Sequence, residues 1–245
     1  MENYILISCP IRNREYSVNT FLQHIKDLIY PKNKLSLFFI INDSVDNTEK
    51  YLQEFKNEYK HLYKSIEIDK LNFNAPKDSR TSIRRKFIFK NLSILRNKIL
   101  DKAIELNVDY LFMIDSDVYV SDLSLKKLLS QKKDIISATI DNSYGRNKYF
   151  NVMWLVNDRF IRLDLKDKPD VFKCDLTGAC ILISKKVLKS GCRYGFHPVG
   201  EDAAFCLDAL SKGFELYSYK GIAFHDMRPM SFLNKRRIIH LEDKQ

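Results

Sequence analysis

Glycine-rich phosphate loops, paired cysteines, clustered histidines and long apolar runs are all missing from this chain. Neither Gly-x-x-x-x-Gly-Lys nor Gly-x-Gly-x-x-Gly occurs around its 7 glycines, which argues against a P-loop enzyme and a dinucleotide-dependent oxidoreductase. Cys9, Cys174, Cys180, Cys192 and Cys206 are odd in number, scattered and free of any Cys-x-x-Cys pair, so they read as reduced core thiols. A structural zinc needs Cys or His at short spacing, and that is absent too. The longest apolar runs, such as Tyr4 to Cys9 and Leu35 to Ile41, fall far short of the roughly 20 residues a membrane-spanning helix needs. No internal repeat, low-complexity tract or Gly/Ser linker is found. The N-terminus enters a strand-like run without a basic segment, apolar core and cleavage site, so cytoplasmic residence is the expectation.

What is present suits one large α/β domain. The 245 residues include 45% apolar and 12% aromatic side chains, ample material for a packed core, which excludes wholesale disorder. The net charge of +10 favours polyanionic partners: nucleic acid, anionic lipid or phosphorylated substrates. A genome-wide lysine bias would produce the same balance, so charge does not choose among them.

Along the chain, strands and helices alternate. Tyr4 to Cys9 reads as a strand closed by Pro10, and Val18, Phe21, Leu22, Ile25, Leu28 and Ile29 then recur at helical spacing. Leu35 to Ile41 reads as a buried strand, Asn42 to Thr48 as turn and cap chemistry, Glu49 to Tyr59 as a helix and Ser65 to Ile68 as a third strand. Residues 70 to 85 lack periodicity and read as a long loop. Helical spacing returns over Phe87 to Leu106, and Tyr110 to Ile114 forms a continuous apolar strand ending in Asp115-Ser116-Asp117. Consecutive βα units predict a mostly parallel, doubly wound central sheet flanked by helices, with ligands beyond the carboxyl ends of its strands. Further strands are expected over Ile135 to Ile140, Phe150 to Leu155, Arg159 to Leu163 and Ala179 to Ile183, giving a mixed second half.

Asp115-Ser116-Asp117 is the sharpest chemical feature. Two carboxylates separated by one residue at a strand end can offer oxygens to a hard divalent cation, which in turn suits the phosphates of a nucleotide. Turns also favour Asp without any chemistry. Downstream, Gly200-Glu201-Asp202 opens an amphipathic helix, where carboxylates complement the helix dipole and need no further role. An apolar strand from Phe214 to Tyr219 follows, then His225, which is either structural or a metal ligand. Trp154 could stack on a sugar face, although its apolar strand suits a core role.

Taken in order, these motifs resemble the family 2-like GT-A glycosyltransferases, with some likeness to the mannan-polymerase Anp1-type enzymes, over residues 4 to 228. The resemblance rests on Cys9-Pro10-Ile11-Arg12-Asn13, Ile41-Asn42-Asp43-Ser44, Leu95-Arg96-Asn97, Met113 to Asp117, Leu176 to Cys180, Gly200-Glu201-Asp202 and His225. It implies a GT-A, Rossmann-like single domain over 1–228, with a nucleotide-sugar half to about 120, an acceptor half beyond it, and a basic tail over 229–245. It implies transfer of a sugar from a nucleotide-sugar, UDP-linked before GDP-linked, to a glycan, lipid-linked or protein acceptor, with Mn²⁺ or Mg²⁺ as cofactor. On this resemblance Pro10, Arg12 and Ser116 lie against the nucleotide, Asp43 hydrogen-bonds the base, and Arg96 sits near base or diphosphate unless it is simply an exposed helix arginine. Asp115 faces ribose or sugar and is also a candidate ligand of the metal beside Asp117 and His225, the two the resemblance favours. Inverting members use the Asp of the Glu-Asp pair as base, here Asp202 with Glu201 as its neighbour; Anp1-type enzymes retain configuration and need none. Thr177-Gly178-Ala179 resembles the acceptor-side segment, where glycine admits a close approach.

The tail from Arg228 to Gln245, with Lys235-Arg236-Arg237, is read as a solvated extension, a lid or a peripheral membrane contact. The rival reading is a basic nucleic-acid-binding or metal-dependent nucleotidyl-processing protein, supported by Arg80 to Lys90. It leaves the acidic strand-end cluster without a purpose, and no nucleic-acid partner is expected.

Overall fold

The computed structural model describes residues 2–74, 82–143 and 149–226, with side chains at all of these except 82–86. The first half is a run of βα units: β1 (Ile5–Ile11), α1 (Val18–Asp27), β2 (Leu35–Ile41), α2 (Thr48–Tyr59), β3 (Ser65–Lys70), α3 (Ser82–Glu105) and β4 (Tyr110–Ile114). The second half holds β5 (Val118–Val120), α4 (Ser124–Ser130), β6 (Ile135–Ala138), β7 (Met153–Val156), β8 (Arg159–Arg162), β9 (Val171–Cys174), β10 (Cys180–Ser184), α5 (Lys185–Lys189), α6 (Glu201–Ser211), β11 (Leu216–Tyr219) and β12 (Ala223–His225).

All seven residues of β1 and of β2 are buried, because helices cover both faces of the sheet. Alternate side chains therefore feed two separate cores. Ile5, Ile7, Cys9 and Ile11 pack with Val18, Phe21, Leu22 and Ile25 of α1 on one face. Leu6 packs with Leu95, Ile99 and Ala103 of α3 on the other. Burying one such aliphatic side chain contributes about 1.5–3 kcal/mol, so a one-residue slip of β1 would lose both cores together.

The main sheet has eight strands in the order β3-β2-β1-β4-β10-β6-β11-β9. From β3 to β4 every pairing is parallel, as is β6 with β11. β10 runs antiparallel to both β4 and β6, and β9 antiparallel to β11, so the sheet is parallel through the first half and mixed beyond β4. Two two-stranded ribbons, β5 with β12 and β7 with β8, stand outside it.

Several boundaries depart from expectation. β1 continues through Pro10 to Ile11; its ladder to β4 stops at Ser8, so the missing Pro10 amide falls beyond the last pair on that side. α3 begins at Ser82, inside the stretch read as loop, while 75–81 lie outside the described residues. Phe150 makes only an isolated bridge to Asp141, and its strand starts at Met153. β5, β9, α4 and α5 were not anticipated: each is 7 residues or fewer, too short to show a period. Among the described residues no helix is long and apolar enough to cross a membrane, and the tail over 229–245 lies outside them.

Candidate active site

A cleft of about 490 Å³ opens at the carboxyl ends of β1 and β4, where an open α/β sheet receives its ligands. Pro10, Arg12, Arg96, Asp115, Ser116, Asp117, Glu201, Asp202 and His225 all line it. The sheet order explains the convergence. β4 delivers Asp115 to Asp117, α3 carries Arg96 beneath them, and α6 begins with Glu201 and Asp202.

The ribbon outside the main sheet completes the arrangement. β5 starts one residue after Asp117 and pairs antiparallel with β12, matching Val118 to His225. The Asp226 amide also donates to the Asp117 carbonyl at 2.7 Å. A residue 108 positions along the chain is thereby set beside the acidic turn, with His225 Nε2 3.7 Å from Asp117 Oδ1. Burial raises the Asp117 carboxyl, but His225 and the Arg14 guanidinium outweigh it and hold it below the usual carboxylate range. His225 is moved oppositely: burial lowers it, and Asp117 more than reverses that.

Arg96 organises the deeper end. Its side chain is only 3% exposed, with Nη2 donating to Asp115 Oδ1 at 2.9 Å and Nε to Glu201 Oε1 at 3.1 Å; Asp202 Oδ1 stands 3.8 Å from Nε. This excludes the exposed-helix reading, and it directs the guanidinium toward protein carboxylates. One cation facing three carboxylates leaves an excess of negative charge in a poorly solvated place. Burial raises Asp115 against the pull of Arg96, and the same burial pushes Asp202 up to about 8. Of the Glu-Asp pair, Glu201 is closed off at 6% side-chain exposure, whereas Asp202 keeps 27% open to the cleft.

Gly178 answers to Asp202. A Cβ built there would lie 2.1 Å from Asp202 Oδ2, so the carboxyl occupies the space that any larger residue would fill. The neighbouring Ala179 has a φ of +62°, backbone strain of the kind that collects at functional sites, and its carbonyl accepts from the Asp115 amide at 2.6 Å. Asn151 braces this segment, its Nδ2 donating to the Gly178 carbonyl at 2.9 Å and the Ala138 carbonyl at 3.0 Å.

One expected residue stands elsewhere. Asp43, at a φ of +46°, does not line the cleft; its Oδ1 accepts the amides of Phe73 and Asn74, both at 3.1 Å, and Asn42 faces the cleft in its place. Trp154 packs against the α3-side core, outside the lining. Conversely, sequence reading missed Arg14, whose Nη2 donates to Asp117 Oδ2 at 2.9 Å. An arginine in a loop carries no periodicity; its nearness to Arg12 was the only available signal.

The same fold occurs in solved sugar transferases. GalNAc-T7 with UDP, GalNAc and Mn²⁺ superposes with a TM-score of 0.62 at 13% identity, over 91% of this chain and 44% of that one. TarS from S. aureus with UDP-GlcNAc gives 0.58 at 14% identity, over 93% and 59%. The fold is therefore that of the GT-A glycosyltransferases. Within that class the chain belongs to the Anp1 family, whose pattern matches residues 1–160. It is 30% identical over 145 residues to the mannan polymerase II complex anp1 subunit of Schizosaccharomyces pombe, across 54% of this chain and 34% of that protein. It is 29% identical over 154 residues to procollagen galactosyltransferase 1-A of Xenopus laevis, across 60% and 24%. The matched stretch is thus about a quarter to a third of these relatives' length.

Proposed function

We propose that this protein is a divalent-cation-dependent glycosyltransferase that takes a sugar from a nucleotide-sugar, UDP-linked before GDP-linked, and passes it to a hydroxyl of a glycan, lipid-linked or protein acceptor. The observation that carries this reading is the pairing of β5 with β12, which sets His225 beside Asp117 across the same cleft from Asp202. A solved relative in fold, the mannosyltransferase PcManGT of Pyrobaculum calidifontis, holds GDP-Man and Mn²⁺, with a TM-score of 0.56 at 9% identity over 95% of this chain and 59% of that one.

The donor set fits a cation. Asp117 keeps its charge, His225 presents Nε2 to it, and His225 Nδ1 is buried without a hydrogen-bond partner among the described residues. Among those residues no group of three or more His, Cys, Asp or Glu side chains is placed to hold a metal, so phosphate oxygens or water would complete the sphere. A cation held by Asp117 and His225 would supply positive charge to the departing diphosphate. Asp115, turned toward Arg96, is better suited to a sugar or ribose hydroxyl. Asp202 accepts the acceptor hydroxyl's proton on a carboxyl oxygen as that hydroxyl attacks the anomeric carbon, and Gly178 leaves room for it. With Asp202 raised to about 8, the base is mostly protonated at neutral pH in the empty protein, so kcat/KM rises with pH up to that region. Membership of the Anp1 family supports a second reading, transfer with retention and no base. Product anomer NMR separates the two, and D202N abolishes turnover only under inversion.

Calorimetric titration with UDP and with GDP, each with and without Mn²⁺, tests the core of the proposal. Metal-dependent binding of one nucleotide is expected, with D117A and H225A both weakening it. A folded protein that binds neither nucleotide under any of these conditions would remove the proposal.

A further inference from the structure

Arg14 stands where a cation's charge would be needed. Its Nη2 holds Asp117 Oδ2 at 2.9 Å, its Nη1 donates to the Arg12 carbonyl at 3.3 Å, and its side chain is 17% exposed at the cleft wall. Asp117 is thus shared, Arg14 at Oδ2 and His225 facing Oδ1. The backbone of Arg14 is pinned. Its amide donates to Thr48 Oγ1 at 2.7 Å, and its carbonyl accepts from Ser17 at 2.9 Å and Val18 at 2.8 Å where α1 opens. With the backbone fixed, any change of partner falls to the side chain.

A guanidinium left at hydrogen-bond distance from a carboxylate that takes up a dication faces like-charge repulsion in a poorly solvated site. Once released, its planar fork suits two oxygens of a diphosphate better than an ammonium would. We propose that Arg14 is the resident counter-ion of Asp117: it holds the carboxylate in the empty protein, yields it to the divalent cation and turns to the donor diphosphate. The inference rests on the reading of Asp117 as a cation ligand. It gives cation and donor a shared gate, since each favours the same displaced position of one side chain.

Free Mn²⁺ measured by electron paramagnetic resonance, with no nucleotide present, tests this on wild type, R14A, R14Q, R14K and D117A, with thermal melts to establish that each is folded. R14A and R14Q are expected to bind Mn²⁺ roughly tenfold more tightly than wild type, while R14K, which keeps the charge, stays close to it. In saturating Mn²⁺, R14A and R14Q are expected to bind UDP or GDP roughly tenfold more weakly. Mn²⁺ binding that D117A abolishes but R14A and R14Q leave unchanged or weaken would overturn the role of Arg14 alone. Mn²⁺ binding by none of the proteins in the absence of nucleotide would overturn this inference and leave the cation reading to the nucleotide titrations above, whereas binding indifferent to D117A would overturn both.

Discussion

The two ends of the cleft are each built on one arginine, and they handle charge in opposite ways. At the deep end Arg96 faces Asp115, Glu201 and Asp202, and burial, reinforced by the neighbouring carboxylates, drives Asp202 toward the protonated form against the pull of Arg96. At the outer end Arg14 and His225 share the single carboxylate of Asp117, which is held ionised. Residues 115 and 117 are two positions apart, yet their carboxyls shift in opposite directions. The lesson is that the Asp-x-Asp pattern specifies two carboxylates, while their neighbours decide which one stores a proton and which remains a ligand.

The contrast is broken most severely at Arg96. R96M is expected to cost about 3–5 kcal/mol in urea unfolding, because three carboxylates lose the buried cation they share. A loss well under 1 kcal/mol would mean that water, not Arg96, solvates that end. G178A comes next, at about 1–3 kcal/mol, since its methyl would collide with Asp202. D202A should recover most of that loss in the double mutant, whereas additive losses would locate the strain in the backbone.

A smaller effect sharpens the contrast through pH. Asp202 is raised when folded, so the native state binds more protons than the unfolded chain between the usual carboxylate range and about 8, and stability falls as pH rises through that window. D202N escapes this. Its melting temperature should exceed that of wild type increasingly between about pH 5 and about pH 8, a difference on the order of 1 kcal/mol or more; a constant difference refutes the shift. Smallest is D101N, which removes the exposed partner of Arg193 at 2.8 Å. At roughly 0.2–1 kcal/mol it measures how little an arginine pair contributes when water can replace it.

Much of the fold was legible because periodicity reports burial. Tyr110 to Ile114 and Leu35 to Ile41 are continuous apolar strands in sequence and in structure, since helices cover both of their faces. The mixed second half was anticipated only in outline: three- and four-residue strands such as β5, β9 and β12 carry too few positions to show a period. In the site, motif order brought Asp115, Asp117, Asp202, Glu201 and His225 to one cleft. It assigned Asp43 to the base, and the structure has that carboxylate clamping the amides of Phe73 and Asn74, because turn chemistry and base recognition ask for the same residue type. It also passed over Arg14 and the reason for Gly178, since a loop arginine and a glycine's missing Cβ acquire meaning only from what stands opposite.

By itself, then, the sequence determined the alternation of strands and helices, the strand-end carboxylates and the acidic start of α6, all written in local spacing and residue type. Tertiary structure decided which charges meet. The antiparallel pairing of β12 with β5, the burial of Arg96 among three carboxylates and the reach of Arg14 to Asp117 join residues 19 to 108 positions apart. Electrostatic interaction depends on distance and solvation in space, and neither is encoded at any single position along the chain.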